Sequence, residues 1–414
     1  MVKIGPVRGT QDLLDVRLEK KIIDQLTAHL LLHNFQQIQT PIIETLELFL
    51  RCVGQETDVV GKEMFLLEPR DEEKLCLRPE LTAPTFRAFL NSGVQSGPWK
   101  VFAHGPMFRY ERPQKGRWRQ FEQFNVENID AQDITHDIAL ISLLDRVFRQ
   151  IFKLQTYILQ LNFLGTASER QLHRAALVEF LSAQQQQICH TCQVRMHANP
   201  LRCFDCKVES CQQILEQAPL LLQFLTADSQ AQWQQLQQAL QLLDVNFVIN
   251  PRLVRGLDYY NGVVFEFQSM ALGAQNAFCG GGRYDLAIPL ELRKPVPSIG
   301  AAIGIGRLAL ILRETGLQPD LTLPPLYLIL PMTAELKILG LMLARQLQAA
   351  ELRTDVLLDD CSLSNMLKKA NRLQAAKVLI IGEQEAAQNQ IIVKDMLTGA
   401  QQVVLQAELL QALQ

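Results

Sequence analysis

Leu18, Ile22, Leu26 and Leu30 recur four apart, an apolar stripe that predicts an amphipathic helix over 16–33. Residues 35–44, "FQQIQTPIIE", alternate like a strand that Pro41 confines to an edge or an end. "LCLRPELTAPTFRAFL" reads as a short strand opening into a helix, with Thr82 able to cap it. "WKVFAHGPMFRYE" and "FEQFNVENI" predict a long hairpin with a basic connection, followed by a helix over 133–153 and a strand over 156–164. Residues 168–243 turn helical and glutamine-rich. Leucines recur at helical spacing among "QQQQ" and "QWQQLQQALQLL", so the glutamines mark solvated faces of an insertion between two parts of one sheet. Strands resume at Val245, and "SIGAAIGIGRLALIL" predicts a closing strand and helix. The three prolines of "LQPDLTLPP" predict a linker. Beyond it "LYLILPM", "RTDVLL", "KVLIIG" and "QIIVKDM" alternate with helices over 334–350 and 362–374 and a final helix, the pattern of a small α/β domain.

Length and charge narrow the class. A chain of 414 residues exceeds what one core usually supports, and its 48% hydrophobic and 20% charged composition is that of a globular protein. A net charge of −3 supplies no global attraction for nucleic acid, so any RNA contact must be a local basic patch. No apolar run suits a membrane span, and "MVKIGPVRGTQDLLD" lacks the core of a signal peptide, so a cytoplasmic location is expected.

Several segments hold polar groups where their neighbours favour burial. "LVRGLDYYNGVVFEF" starts as a buried strand and is interrupted by Arg255, Asp258, Tyr259 and Tyr260. Burying an unpaired neutral polar group costs roughly 2–7 kcal/mol and a charge more, so something polar should sit there. The loop "FRYERPQKGRWRQF" carries Arg109, Arg112, Lys115, Arg117 and Arg119, and arginine forks suit phosphate oxygens; a solvated hairpin tip is the plainer alternative. Gln123, Asn125 and Glu127 share one face of the next strand, either toward solvent or as the floor of a pocket. Arg78, Glu80 and Thr82 flank Pro79; Glu80 and Thr82 suit an ammonium group or an ordinary helix start. The glycines of "CGGGRYD" permit a close approach of backbone to ligand, or an ordinary bulge. "GIGRLA" is a dinucleotide-type fingerprint without the acidic residue or βαβ unit that such a site needs. Cys189, Cys192, Cys203 and Cys206 form two C-x-x-C pairs that could hold a structural zinc or remain free thiols.

The order of "RGTQDLL", "LRPELTA", "GPMFRYERPQKGRWRQFEQF", "LVRGLDYYNGVVFE", "GGGRYD" and "GAAIGIGRLALIL" resembles the histidyl-tRNA synthetase family, class II aminoacyl-tRNA synthetases of the bacterial type. The resemblance covers nearly the whole chain and is loose only in the insertion. It implies an α+β fold: a class II catalytic domain over 1–320 built on a mainly antiparallel sheet flanked by helices, the helical insertion at 168–243, and an α/β anticodon-binding domain over 325–414. It also implies a homodimer, with the segment around Pro41 at the subunit interface.

The activity implied is formation of histidyl-adenylate from histidine and ATP with Mg2+, then transfer to the terminal ribose of histidine tRNA. Arg109 matches the arginine that holds the α-phosphate, Arg117 the loop arginine near the γ-phosphate, and Arg307 a third arginine under ATP. Glu80, Thr82 and Gln123 match positions that orient the amino and carboxylate groups of histidine. Glu127 and Tyr260 match the pair that reads the imidazole, with Tyr259 and Tyr284 lining the pocket. Arg255 matches the arginine that stabilises charge developing on the α-phosphate. Arg112 and Gln114 correspond to contacts with the acceptor end of the tRNA. Three positions depart from the family pattern: Leu81 and Gly306 stand where glycine and glutamate are usual, and Leu286 replaces the glycine of "GGRYDGL". The competing reading is a synthetase-like regulatory subunit of ATP phosphoribosyltransferase, which binds histidine without charging tRNA; such paralogues typically lack both the C-terminal domain and "RGLDYY". A nicotinamide-dependent oxidoreductase would explain "GIGRLA" alone.

Overall fold

The stripe of Leu18, Ile22, Leu26 and Leu30 forms the buried face of a helix, Arg17–Leu32, in a computed structural model. Its described residues are 4–54, 57, 59–68, 72–94, 97–256, 259–273, 276–286 and 295–413. Asp258, one of the polar residues that interrupt the strand-like segment, lies outside them. The chain divides into two units, Met1–Pro319 and Asp320–Gln414. No helix among the described residues is long and apolar enough to cross a membrane.

In the first unit the strands are β1 (Gln36–Gln37), β2 (Ile43–Thr45), β3 (Phe65–Leu66), β4 (Leu75–Leu77), β5 (Trp99–Phe108), β6 (Gln120–Ile129), β7 (Ile158–Phe163), β8 (Val248–Ile249), β9 (Tyr260–Gln268), β10 (Ala277–Leu286) and β11 (Val296–Gly304). Eight of them form one sheet in the order β1-β5-β6-β11-β10-β9-β7-β8, while β2, β4 and β3 form a small second sheet. The pairs from β5 through to β7 are antiparallel, and the outer pairs β1–β5 and β7–β8 are parallel. One face of the central strands buries Phe102, Phe124, Phe265 and Ile303, so the opposite face is left for chemistry.

Residues 35–44 do not form one strand. Gln36–Gln37 joins the edge of the large sheet and Ile43–Thr45 the small one, because Pro41 has no amide to donate and interrupts the pairing. Buried Arg78 holds the break, donating to the Thr40 and Pro41 carbonyls at 2.8 and 3.2 Å. Nor does Thr82 cap its helix: it is the first residue of Thr82–Asn91, and the Glu80 carboxylate accepts the amides of Thr82 (2.6 Å) and Ala83 (2.9 Å) instead.

Between β7 and β8 the insertion contributes the helices Ala167–Ala183, His190–Ala198, Glu209–Leu215 and Ala227–Leu242. Part of it has a small core of its own, with Leu177, Leu181, Ile188, Met196 and Leu215 packed around cysteines. In the second unit the strands β12 (Leu326–Pro331), β13 (Thr354–Val356), β14 (Ala375–Ile381), β15 (Gln390–Asp395) and β16 (Gln401–Leu405) run in the order β13-β12-β14-β15-β16. The pairs β12–β13 and β12–β14 are parallel, with Lys337–Ala349 and Leu363–Arg372 as crossover helices. Strand β16 and the short helix Glu383–Ala387 escaped the sequence pattern: β16 is an exposed edge strand, "QQVVL", without clear alternation.

The helix Ile134–Arg146 is tied to β10 by one buried pair. Arg283 Nε lies 3.0 Å from both Asp137 carboxylate oxygens, and its Nη1 and Nη2 each donate at 2.7 Å, to the Ala131 and Asp133 carbonyls. Burial pushes the Asp137 carboxyl up to about 6 against the opposing pull of Arg283. Arg283→Ala leaves that carboxylate buried and unpaired and should cost about 3–5 kcal/mol in urea denaturation. Asp137→Leu with Arg283→Met should recover most of the loss; a double variant as unstable as the single one would contradict this account.

Candidate active site

The site face of the sheet is set by small residues on its two middle strands. Strand β11 presents Gly300, Ala302 and Gly304 toward this face, and β10 presents Gly280 and Gly282. Flanking them, β6 contributes Gln123, Asn125 and Glu127, paired in register with Gly304, Ala302 and Gly300, and β9 contributes Glu266 opposite Gly280. Large polar side chains therefore lean inward over a floor with almost no side chains of its own. A Cβ at Gly300 would collide with the Glu127 carboxylate, and one at Gly280 would meet Arg255 Nη1 at 2.5 Å. The glycines of "CGGGRYD" make this close approach possible, and the polar stripe of β6 is a buried floor rather than a solvated edge.

A cavity of about 600 Å³ opens on this floor, lined among others by Arg109, Arg117, Arg255, Arg307, Gln123 and Glu266. Arg109 Nε donates to the Pro79 carbonyl at 2.9 Å, and its guanidinium lies 5.3 Å from the Phe121 ring centre. Arg117 pairs with Glu111 at 2.8 Å. Arg255 pairs with Glu266; burial opposes its charge, but Glu266, Tyr260 and Tyr259 hold it above its ordinary value. Arg307 donates to the carbonyls of Gly116, at 3.0 Å, and Ala277. Burial, with Arg117 nearby, lowers Arg307 to about 10. Three polar atoms facing this region, Gln123 Oε1, Arg255 Nε and Arg307 Nη2, are buried without a hydrogen-bond partner among the described residues. Cations left underbonded around a cavity are a receptor for an anion.

Next to it lies a closed polar cluster. Glu127, 1% exposed, accepts from Thr82 Oγ1 (2.7 Å), Asn125 Nδ2 (3.2 Å) and Tyr284 Oη (2.7 Å). Burial pushes its carboxyl up to about 7 and also raises Glu80. The Tyr259 ring lies 4.6 Å from that of Tyr260 and 5.4 Å from that of Tyr284. Arg255 borders both regions, lining the cavity with its guanidinium 5.9 Å from the Tyr260 ring. The arginines matched to ATP thus line the open cavity, together with Gln123 and Arg255 from the set matched to histidine, while Thr82, Tyr260 and Tyr284 of that set gather near Glu127. Arg112 and Gln114 sit exposed on the hairpin loop outside both; Gln114 forms an isolated bridge with Arg117.

The three unusual positions are accommodated. Leu81 has an ordinary φ of −108° and packs against Ala103 and Met107, Leu286 is buried opposite Val296, and Gly306 faces open space beside Arg307. "GIGRLA" spans the junction of β11 with the helix Ile305–Glu314, on an antiparallel strand rather than in a βαβ unit. Glu266 and Glu111 complete the site without having been singled out in the sequence; the period-2 position of Glu266 opposite a glycine run was its only signal. The cysteines regroup as well. Cys189, Cys192, Cys206 and Cys211 have ligand atoms within 4.8 Å of one another, whereas the Cys203 thiol is aimed at the Cys192 carbonyl at 3.7 Å. Cys203 therefore leaves the expected ligand set and Cys211 enters it.

The histidyl-tRNA synthetase family profile matches residues 9–308, and an anticodon binding domain profile matches residues 327–414. The chain is 39% identical over 417 residues to the histidine–tRNA ligase of Synechococcus sp. (strain JA-3-3Ab), covering 100% of this chain and 99% of that one. It is 40% identical to the histidine–tRNA ligase of Thermosynechococcus vestitus, covering 97% and 94%. The crystal structure of apo S. aureus histidyl-tRNA synthetase superposes with a TM-score of 0.80 at 31% identity, covering 100% and 99% of the two chains.

Glu127 gives the site a pH signature. Its folded-state value, about 7, lies above the ordinary carboxylate value of 4.5, so its contribution to stability is fully present below pH 4.5 and is lost as pH rises through 7. The loss should be roughly 2–4 kcal/mol. Glu127→Gln, which cannot ionise, should gain thermal stability relative to the parent between pH 5 and pH 8 in ligand-free scans. A constant difference across that range would show that Glu127 does not titrate there.

Proposed function

The chain belongs to the histidyl-tRNA synthetase family, and from that membership we propose how its residues divide the work of the reaction. The protein is a histidine–tRNA ligase: it activates histidine with ATP and transfers it to tRNA. The observation that carries the assignment of roles is the pairing of an underbonded arginine cavity with a closed carboxylate cluster, bridged by Arg255.

ATP occupies the cavity. Arg109 holds the α-phosphate, Arg117 the γ-phosphate end, and Arg307 lies beneath the nucleotide. Magnesium fits as a companion of the phosphates. The lining carboxylates Glu111 and Glu266 are already engaged with Arg117 and Arg255, so the ion would rest mainly on phosphate oxygens and water. Its charge would assist the departure of pyrophosphate.

Histidine enters beside Glu127. An ionised carboxylate offers about four acceptor sites, and three are used here, which leaves one for an imidazole N–H. Tyr260 provides the hydroxyl for the other ring nitrogen, while Tyr259 and Tyr284 enclose the ring. Glu80, Thr82 and Gln123 orient the amino and carboxylate groups. The carboxylate attacks the α-phosphate, pyrophosphate leaves, and the negative charge that develops is met by Arg255 and Arg109. No protein nucleophile is required; fixed cations and alignment supply the catalysis. The terminal ribose hydroxyl of the tRNA then takes the acyl group, with Arg112 and Gln114 on the hairpin guiding the acceptor end and residues 325–414 reading the anticodon.

The regulatory-subunit reading is disfavoured by the extent of the match. Both the C-terminal region and the Arg255 segment are present, and the likeness to histidine–tRNA ligases runs the full length. The protein works in the cytoplasm as a homodimer. Ile42 and Ile43, 40% and 51% exposed beside Pro41, offer apolar surface for the subunit interface.

Pyrophosphate exchange with ATP should depend on histidine alone among the amino acids. Arg255→Ala should lower its rate about 10²–10³-fold without loss of fold. Exchange with another amino acid, or full activity in the variant, would refute the assignment. Light scattering coupled to size-exclusion at micromolar concentration should give twice the chain mass, and Ile43→Glu should shift it toward one; a parent that elutes as a monomer would sink the dimer.

A further inference from the structure

The insertion contains a group of cysteines for which the synthetase reaction has no use. Cys189 is the N-cap residue of the helix His190–Ala198, Cys192 lies in its first turn, Cys206 follows the 3-10 helix Pro200–Asp205, and Cys211 lies in the helix Glu209–Leu215. The four ligand atoms lie within 4.8 Å of one another, and all four cysteines are free of disulfides. Cys189 and Cys206 place their Sγ atoms 3.8 Å apart. A disulfide would need about 2.0 Å. Four sulfurs about 2.3 Å from a central zinc sit about 3.8 Å apart along a tetrahedral edge.

The surroundings also suit a metal. The Cys189 amide is aimed at Cys211 Sγ at 3.1 Å, a hydrogen bond suited to a coordinated thiolate. Helix N-termini favour thiolates, and Cys189 and Cys192 sit at one. The spacings are C-x2-C and C-x4-C, both usual for structural zinc. Apart from the cysteines, this lobe has only a few apolar residues to bury, and small cores of that kind commonly need a staple.

Arg202 connects the cluster to the active site. Arg202 lies between the two halves of the ligand set; its Nη1 donates to the Arg255 carbonyl at 3.2 Å and pairs with Asp205 at 2.9 Å. Arg195, on the helix that carries Cys192, donates to the Arg202 carbonyl at 3.2 Å. The segment carrying Arg202 therefore links the cysteine cluster to the backbone beneath Arg255.

We propose that Cys189, Cys192, Cys206 and Cys211 bind one Zn2+ as four thiolates, and that the resulting knuckle holds Arg202 against the backbone of Arg255. Binding converts four thiols to thiolates and releases four protons to solvent. Arg202 acts as a positioning residue, and this half of the proposal rests on the role given to Arg255 above.

The first test is metal content. Protein purified without chelator and analysed by plasma mass spectrometry should carry one zinc per chain, and X-ray absorption should show four sulfurs at about 2.3 Å. Cys211→Ser should lose the metal and Cys203→Ser should keep it. Zinc-free protein that takes up none on addition of Zn2+, an intact mass showing disulfides, or loss of metal in Cys203→Ser with retention in Cys211→Ser would each overturn the site. Should Cys211→Ser fail to fold, the parent's stoichiometry and absorption spectrum still decide. The second test uses Arg202→Ala, which should retain zinc and thermal stability while kcat for histidine-dependent exchange falls about 10-fold, with KM for ATP little changed. Arg202→Lys should restore part of the rate. Unchanged kcat in a zinc-loaded Arg202→Ala would refute the coupling but not the metal; an inactive parent that still holds zinc would instead point to failure of the synthetase assignment.

Discussion

The site depends on a steric constraint before any charge acts. Two neighbouring strands at the middle of the sheet carry glycine or alanine at successive positions of one face, so side chains from β6 and β9 and from the Arg255 segment lie over bare backbone. Glu127 occupies the space a side chain at 300 would take, and Arg255 the space a side chain at 280 would take. Later features of the site build on that removal of bulk: the buried carboxylate, Arg255 over Gly280 and a cavity of about 600 Å³. Phenylalanines on the opposite face maintain the core that lets the floor stay thin.

Charge then occupies this space at a cost. Burial raises Glu127 and Glu80, lowers Arg307, and leaves donors on Arg255 and Arg307 without partners among the described residues. A fold tolerates such groups when most of their bonds are supplied internally: Glu127 has three donors, Arg307 two carbonyls and Arg255 a carboxylate. Part of the bonding left unmet, on Gln123, Arg255 and Arg307, faces the cavity. Preorganised cations need not reorient when negative charge develops on a phosphate, and they can serve as the catalyst without a protein nucleophile.

The insertion shows how a peripheral lobe can bear on this centre. Arg202 reaches from the segment between the cysteines to the Arg255 carbonyl, so a small lobe is bonded to the backbone that carries the guanidinium. Most glutamines of Ala227–Leu242 are exposed, and the lobe around the cysteines buries a small apolar cluster.

Local chemistry in the sequence determined the helices with a four-residue apolar stripe, the hairpin flanking the basic loop, and the strands alternating with helices after the prolines, because periodicity and punctuation act over short distances. The ordered motifs likewise identified the family. Tertiary structure decided what spacing cannot encode. Pro41 divided an apparent strand between two sheets, and Glu80 rather than Thr82 took the helix amides. Glu266 and Glu111 became partners of distant or loop arginines, and Cys211 displaced Cys203 from the cysteine group despite its less regular spacing. Each outcome depends on which side chains converge from separate elements, and convergence is fixed by sheet register and helix packing rather than by distance along the chain.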